Sequence, residues 1–161
     1  RSQSKFQRLW HYVVAATYKG RHLARAGEFD SSIEGGRIEH ASKRINGTGL
    51  LAARFYYSGV ISINPCNAPV ELIATYVSFW LMTNAEKDDS HDVEFSLDIN
   101  DDNSAEIELT IERFAEDVML VEDMNGPFEL EFQGETKRFD FGEQSLWIAA
   151  AFQLETDCGA R

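Results

Sequence analysis

Residues 93–113, VEFSLDINDDNSAEIELTIER, constrain the fold more than any other part of the chain. Apolar and polar side chains alternate one by one in both halves of this stretch. A period of two is typical of β-strands that bury one face and expose the other. Residues 100–104 favour a turn, because Asn, Asp and Ser side chains bond to their own backbone. The stretch therefore predicts an antiparallel hairpin with an almost entirely acidic outward face.

The 161 residues fit a single domain, 1–161, because domains commonly run to about 100 to 200 residues. An apolar content of 43% can build a core without disulfide or metal staples. The two cysteines, Cys66 and Cys158, lie far apart, which indicates a reducing compartment rather than a disulfide framework. The longest apolar stretch, residues 70–82, is too short to span a bilayer, so no membrane partner is predicted.

Charge is divided between the two parts of the sequence. Residues 1–66 carry 10 Lys or Arg and 4 Asp or Glu, a net +6, whereas residues 67–161 carry 5 and 23, a net −18. Copies that pack head to tail, or that dock on a charged partner, gain steering and register from such a division. The alternative interpretation is a solvated acidic face with a few scattered bases.

Two principal helices are predicted. The first covers residues 4–19, where apolar residues recur at helical spacing and Lys5 points toward water. The second begins with Asn67 as N-cap and Pro69 in its first turn. Apolar residues occupy nearly its whole circumference. It must therefore be covered by the sheet and by the first helix or a neighbouring subunit.

Four strands are predicted besides the hairpin, at residues 50–63, 118–124, 128–132 and 139–141. Asn125-Gly126 is a two-residue turn signal, which predicts that the strands at 118–124 and 128–132 form a second hairpin. Pro127 cannot donate to a ladder, which places that hairpin at an edge or projecting from the sheet. The predicted fold class is α+β: a mixed, mainly antiparallel sheet, two helices packed on it, and a projecting edge hairpin.

Three segments are predicted to differ from this core. Residues 21–49 are interrupted by glycines and rich in bases, which predicts a long basic loop or arm, with a hairpin or ordered arm near residues 37–41. Residues 145–154, SLWIAAAFQL, could form a short closing helix. Residues 156–161 are predicted to be a flexible tail.

Residues with catalytic or metal-binding chemistry are too scattered to predict an enzyme. Asp98, Asn100 and Asp102 have the opening spacing of a calcium loop, but Asn103 replaces its glycine and Leu109 its closing glutamate. The four histidines have no Cys or Glu at metal-ligand spacing, and Cys66 lacks an assignable base. Neither a metal nor a cofactor is predicted. The net charge of −12 would repel a polyanion, so no specific nucleic-acid partner is predicted either.

Four segments of the chain resemble one known family: RFYYSGVISI at 54–63, PVELIATYVSFWL at 69–81, VEFSLDINDDNSAEIELTIER at 93–113 and VEDMNGPFEL at 121–130. The chain is similar there to the tail completion, or tail terminator, proteins of temperate phages with contractile tails and of R-type tailocins. The similarity extends over residues 37–130, more than half of the chain. Its motifs are structural patterns and contain no catalytic signature.

The resemblance implies a structural virion protein that forms a hexameric ring on the last ring of the tail tube. Such a ring stops tube and sheath polymerisation and offers the surface to which the head or neck attaches. The implied partners are further copies of the chain, the tail tube protein, the tail sheath protein and a neck or head-completion protein. The implied place is the neck end of the virion tail, after assembly in the cytoplasm of the host bacterium.

Within such a ring, the basic residues are expected to meet acidic neighbours or the tube. The expected bases are Arg37, Lys43, Arg44 and Arg54. Their expected acidic partners in the next copy are Glu106, Glu108 and Glu112. The hairpin residues expected to meet the sheath or an adjacent subunit are Phe128, Leu130 and Phe132.

Two other classes of protein fit the same sequence features. An acidic binding module that mimics DNA would use the carboxylate face as its ligand, and it predicts a monomer or dimer with salt-sensitive binding. A head-completion or connector protein predicts a ring of different symmetry that binds on the portal side.

Overall fold

The computed structural model describes residues 3–142 of the chain, which form two helices, a 3₁₀ turn and eight strands. Most strand pairs are antiparallel, so the predicted α+β class is confirmed. The predicted helix at 145–154 and the predicted tail at 156–161 lie outside the described residues. In chain order the elements are α1 (Lys5–Ala15), β1 (Thr17–Tyr18), β2 (Arg21–His22), the 3₁₀ turn (Ala26–Glu28), β3 (Phe29–Asn46), β4 (Gly49–Cys66), α2 (Val70–Asn84), β5 (Glu94–Ile99), β6 (Ala105–Glu122), β7 (Phe128–Phe132) and β8 (Glu135–Phe141).

The chain divides into two compact units. Lys5–Arg37 and Phe55–Ala115 form the helical unit, which contains α1 and α2. Residues 3–4, 38–54 and 116–142 form the strand unit. Because β3, β4 and β6 are each 18 residues long, they contribute residues to both units.

In the helical unit, β5 and β6 form the predicted hairpin. Their antiparallel register runs from Glu94 opposite Thr110 to Ile99 opposite Ala105. The turn is closed by the Asn100 N–H, which donates to the Ser104 carbonyl at 2.9 Å. The predicted hairpin is therefore confirmed.

The core of the helical unit lies between the two helices and one face of the sheet. The Phe114 ring of β6 contacts three aromatic rings, those of Phe6, Tyr57 and Trp80, at centroid distances of 5.7–6.5 Å. The α2 helix buries Ile73, Val77, Trp80 and Leu81. Its Phe79 and Met82 are 60% and 72% exposed, so the described residues cover only part of this apolar helix.

Pro69 is the N-cap of α2, so the predicted cap at Asn67 is wrong. The fixed φ of proline, here −58° with ψ at 135°, suits a residue that precedes the first helical turn. Its carbonyl oxygen accepts the Leu72 N–H at 3.0 Å, which starts the helical hydrogen bonds. The sequence pattern gave the wrong N-cap because proline can occupy the cap position as well as the first turn of a helix.

Residues 29–46 form strand β3, so the loop alternative is wrong for most of residues 21–49, whereas the ordered arm predicted near residues 37–41 lies within this strand. Backbone pairing with β4 stabilises this segment in spite of its glycines. Gly36 is required there, because a Cβ at this position would overlap the Tyr56 carbonyl oxygen. The glycines that suggested a loop instead permit a close approach of two strands.

β6 is one continuous strand where the sequence predicted two. The alternation of buried and exposed residues breaks at Glu112 and Arg113, which are both exposed, and at residues 114–116, which are all buried. This break separates the two apolar patterns in the sequence.

In the strand unit, the second hairpin is formed by different strands from those predicted. β8 lies between β6 and β7 and pairs with both, with Leu120 opposite Phe141 and Phe128 opposite Phe139. The turn at residues 125–126 exists, since the Gly126 N–H donates to the Asp123 carbonyl at 2.8 Å, but it joins strands that are not neighbours. β7 ends the strand order, and the projection of a hairpin from the sheet stays a prediction.

Candidate interaction surfaces

Strand β5 presents apolar side chains to solvent. Phe95 and Ile99 are 65% and 67% exposed, and Leu97 is 39% exposed. Their register partners on β6 are at most 9% exposed. The predicted buried face of the hairpin is thus confirmed for β6 and wrong for β5, because α2 packs over β6 through Trp80 and Phe114 while every β5 residue stays exposed.

A groove of about 570 Å³ lies between α2 and the hairpin, within the helical unit. Its lining is mainly apolar and includes Val70, Ala74, Val77, Phe95, Leu97 and Ile107. Glu71 and Asp92 add carboxylates to it. An exposed apolar surface of this kind, with polar groups around it, is typical of an interaction site.

The segment that forms this hairpin contains acidic residues but no basic residue of its own. Residues 88–112 carry ten Asp or Glu and no Lys or Arg. Asp98 lies directly opposite Glu106, a like-charge pair that destabilises a sheet. Among residues 3–142, no Lys or Arg forms an ion pair with Glu94, Asp98 or Glu108. The arrangement favours a cationic group from outside the chain.

Two of the predicted interface residues, Arg37 and Glu112, line one polar cleft of about 380 Å³ in the helical unit. The Arg37 guanidinium lies 4.0 Å from the centre of the Tyr56 ring, a cation–π contact. The structure therefore brings these two together within one chain. Lys43, on the same strand as Arg37, is exposed.

Arg44 is engaged within the strand unit. Its Nη1 donates to Glu122 Oε2 and to the Gly47 carbonyl, both at 2.8 Å, and its guanidinium lies over the Phe132 ring. Lys137 Nζ approaches Glu122 Oε1 at 3.0 Å. The hydrogen bonds from Lys137 and Arg44 lower the pKa of Glu122, and the bond to Glu122 raises the pKa of Lys137.

Arg54 also has a partner within the strand unit. Its Nε donates to Asp117 Oδ1 at 2.6 Å and its Nη2 to Oδ2 at 3.4 Å, a two-pronged pair. Arg44 and Arg54 thus already bind carboxylates of the same chain. Their predicted contact with a neighbouring copy stays a prediction.

The predicted hairpin residues divide between core and surface. Phe128 and Phe132 pack against the buried cluster of Leu50, Leu120 and Phe139. Leu130 is 42% exposed, and Met124, before β7, is 91% exposed. The strand unit therefore also presents apolar side chains, although fewer of them come from the predicted hairpin than the sequence suggested.

Residues with reactive chemistry lie apart from one another. Burial raises the pKa of the Cys66 thiol, and the backbone of Ala68 offsets this only in part, which disfavours the thiolate form. The Ser104 hydroxyl lowers the pKa of Asp102 within the tight turn of the hairpin. Within residues 3–142, no three His, Cys, Asp or Glu side chains converge as metal ligands. None of the described helices is long and apolar enough to cross a membrane.

One buried charge pair was missed by sequence reasoning, which placed Lys5 toward water. Lys5 is 5% exposed, and its Nζ donates to Asp89 Oδ2 at 2.8 Å and to the Ala115 carbonyl at 2.9 Å. Asp89 also accepts the N–H groups of Glu86 and Ala115. The partners are 84 residues apart, so no local pattern could have indicated the pair.

Comparison with known proteins gives two matches. The family described as P2 phage tail completion protein R (GpR) matches residues 3–138, which include both helices and β1 to β7. An "uncharacterized 19.2 kDa protein in rep-hol intergenic region" of Haemophilus phage HP1 (strain HP1c1) is 29% identical over 142 residues. That alignment covers 84% of this chain and 81% of the relative. No solved structure matches the chain.

Proposed function

The chain belongs to the family of the P2 phage tail completion protein R (GpR), and we propose that it caps the phage tail as a ring. Membership makes it a structural component of the virion tail and not a member of an enzyme class. The ring would bind the last ring of the tail tube, end the polymerisation of tube and sheath, and form the surface for the neck.

The observation that carries the ring is the exposed apolar surface of β5 and the adjoining groove. Phe95 and Ile99 are both about two-thirds exposed in the isolated chain. Their neighbours Glu94 and Asp98 have no cation partner among residues 3–142. Contact with a second copy would bury the apolar groups and supply cations, and most soluble assemblies of one chain are closed and symmetric.

The charged residues of the ring would then have the following roles. Lys43 and Arg37 would meet the acidic hairpin of the next copy, where Glu106 and Glu108 lie beside Asp98 and Glu94 of β5, or acidic groups of the tube. Arg44 and Arg54 would extend their existing carboxylate pairs toward the same neighbour, and Glu112 would add its charge from the cleft that it shares with Arg37.

The remaining surface would serve the other tail components. Leu130 and the hairpin that carries it, with Phe128 and Phe132 beneath, would be available to the sheath or to an adjacent subunit. The opposite end of the ring would receive the neck or a head-completion protein. The proposed place is the neck end of the tail, after assembly of the homohexamer and its partners in the bacterial cytoplasm.

The first test is the mass of the purified chain by light scattering at two concentrations, with negative-stain images of the same fractions. A six-fold ring is the expected result. A ring of different symmetry that binds the portal side would instead indicate a head-completion or connector protein.

The second test measures the capping activity directly. The chain is mixed with the tail tube protein of its own phage while the tubes polymerise, and tube length and end density are measured by electron microscopy. Shorter tubes with one capped end are expected. Unchanged tube lengths and bare ends would contradict the proposal.

The unpaired carboxylates of the hairpin support a second candidate, an acidic module that mimics DNA. It predicts a monomer or dimer that binds a DNA-binding enzyme and is released by salt. Competition between the chain and duplex DNA for such an enzyme would favour this candidate over the ring.

A further inference from the structure

β5 is an edge strand without the features that usually protect one. It pairs with β6 alone among the strands of residues 3–142, in a continuous register without proline, lysine or a bulge. Alternate N–H and C=O groups along its outer side are therefore open to another strand. One face of β5 carries the apolar Phe95, Leu97 and Ile99, and the other carries the acidic Glu94 and Asp98.

β3 is a second edge strand, and its charge is opposite. It stands at the end of the described strand order and pairs there with β4. Its residues 37–45, RIEHASKRI, contain three Lys or Arg and one Glu. Ile38 and Ile45 in this segment are 66% and 50% exposed. The segment thus combines bases with exposed apolar side chains, as a partner for β5 must.

We infer that β5 of one copy pairs edge to edge with residues 37–45 of β3 in a second copy. This inference rests on the proposed ring and names the contact that builds it. Strand pairing brings opposite side chains to within about 4.5–5.5 Å between Cβ atoms, close enough for Lys43 to meet Glu94 or Asp98. The same pairing covers the open backbone edge of β5 and narrows the access of water to Phe95 and Ile99.

The charges also select this pairing against the two like pairings. Two β5 edges would place carboxylates against carboxylates, and two β3 edges would place bases against bases. Of the three possible pairings between these two edges, only the pairing of β5 with β3 is attractive. A contact between unlike surfaces is head to tail, and such contacts generate rings when the rotation between copies closes.

The test is an exchange of charge between the two edges. Variant A carries Arg37→Glu and Lys43→Glu, and variant B carries Glu94→Lys and Asp98→Lys. In A both edges are acidic and in B both are basic, so neither variant should assemble alone. In an equal mixture, copies of A and B can alternate, so that every contact joins an acidic edge of A to a basic edge of B. We expect loss of the assembled species for A and for B in sedimentation velocity, and its recovery in the mixture.

The control variant carries Lys19→Glu and Arg21→Glu, two exposed bases of the β1–β2 hairpin. It receives the same charge change as variant A outside both edge strands, and it should assemble like the wild-type chain. Circular dichroism establishes that each variant is folded. If Arg37→Glu disturbs the fold through the Tyr56 contact, the single changes Lys43→Glu and Asp98→Lys repeat the exchange.

Each outcome decides the inference. Recovery in the mixture alone, with a normal control, supports the pairing. Normal assembly of A or B, no recovery in the mixture, or a wild-type chain that stays monomeric overturns it. If the wild-type chain caps tubes but the mixture does not recover, the pairing fails and the proposed function stands. If the mixture recovers but wild-type rings leave tube ends bare, the function fails and the pairing stands.

Discussion

The two compact units use their carboxylates differently. In the strand unit, Glu122 and Asp117 each bind an arginine of the same unit at 2.8 Å or less. In the hairpin of the helical unit, Glu94, Asp98 and Glu108 have no such partner among residues 3–142. Carboxylates with partners stabilise their own fold, whereas unpaired ones arranged side by side cost stability in the isolated chain. This difference is the reason to expect that the hairpin makes its contacts with a partner.

The variant with the largest expected effect tests the difference between the two strands of that hairpin. Leu109→Asp places a charge where the side chain is 2% exposed and no cation is near, so the helical unit should lose its structure. Loss of the far-UV circular dichroism signal and of a cooperative thermal transition would show this. A folded Leu109→Asp variant would mean that the faces of the hairpin are assigned the wrong way round.

Phe95→Asp is the matched control, because Phe95 lies directly opposite Leu109 in the register but is 65% exposed. This variant should melt at nearly the wild-type temperature while its assembly weakens. Unfolding of both variants would show that β5 belongs to the core, and it would remove the distinction between a structural strand and a contact strand.

The next effect concerns Asp89, a buried carboxylate ahead of the hairpin that Lys5 pairs within the helical unit. Lys5→Met removes the cation from Asp89 and leaves a buried charge without its partner, which costs about 3–5 kcal/mol. The midpoint of urea unfolding should fall accordingly. Arg25→Met, which breaks an exposed pair with Glu28, is the control and should leave the midpoint nearly unchanged. Equal midpoints for the two variants would show that water reaches Asp89.

A smaller effect tests the close approach of β3 and β4. In Gly36→Ala the new Cβ would overlap the Tyr56 carbonyl oxygen, and separating the strands should cost about 1–3 kcal/mol. Gly35→Ala adds the same methyl group one residue earlier, where no atom lies within 4 Å. Thermal melting should distinguish the two variants. Equal melting temperatures would mean that the edge segment is not held against β4.

The sequence predicts the strands and turns of this fold better than it predicts which strands lie next to each other. Alternation in residues 93–113 identifies both strands, but it cannot tell which of them a helix covers, so the exposure of Phe95 was missed. The Asn125-Gly126 signal is local and correctly gives a turn, yet pairing of β8 with both β6 and β7 is decided by contacts distant in sequence. Local patterns therefore predict faces and turns, whereas strand order depends on tertiary packing.

The candidate surfaces follow the same rule. The acidic face was predictable because ten carboxylates without a base stand close together in the sequence. The ion pair of Arg44 with Glu122 was not predictable, because the two residues are 78 positions apart in the sequence. Sequence reasoning therefore found the charges of the proposed interface, and the structure shows which of them already have partners.

The smallest expected effect compares one paired with one unpaired carboxylate. Because the pKa of Glu122 is lowered on folding, its bonds to Lys137 and Arg44 stabilise the protein fully above the ordinary glutamate value of 4.5, and this contribution disappears as pH falls through the lowered pKa. Glu122→Gln should therefore reduce the free energy of unfolding at pH 7, and the difference from wild type should vanish in strong acid. Glu108→Gln, which breaks no ion pair, should unfold like the wild-type chain at pH 7. Urea titrations at a series of pH values measure both differences. A Glu122→Gln variant as stable as the wild-type chain at every pH would show that the carboxylates of the strand unit are no more structural than those of the hairpin.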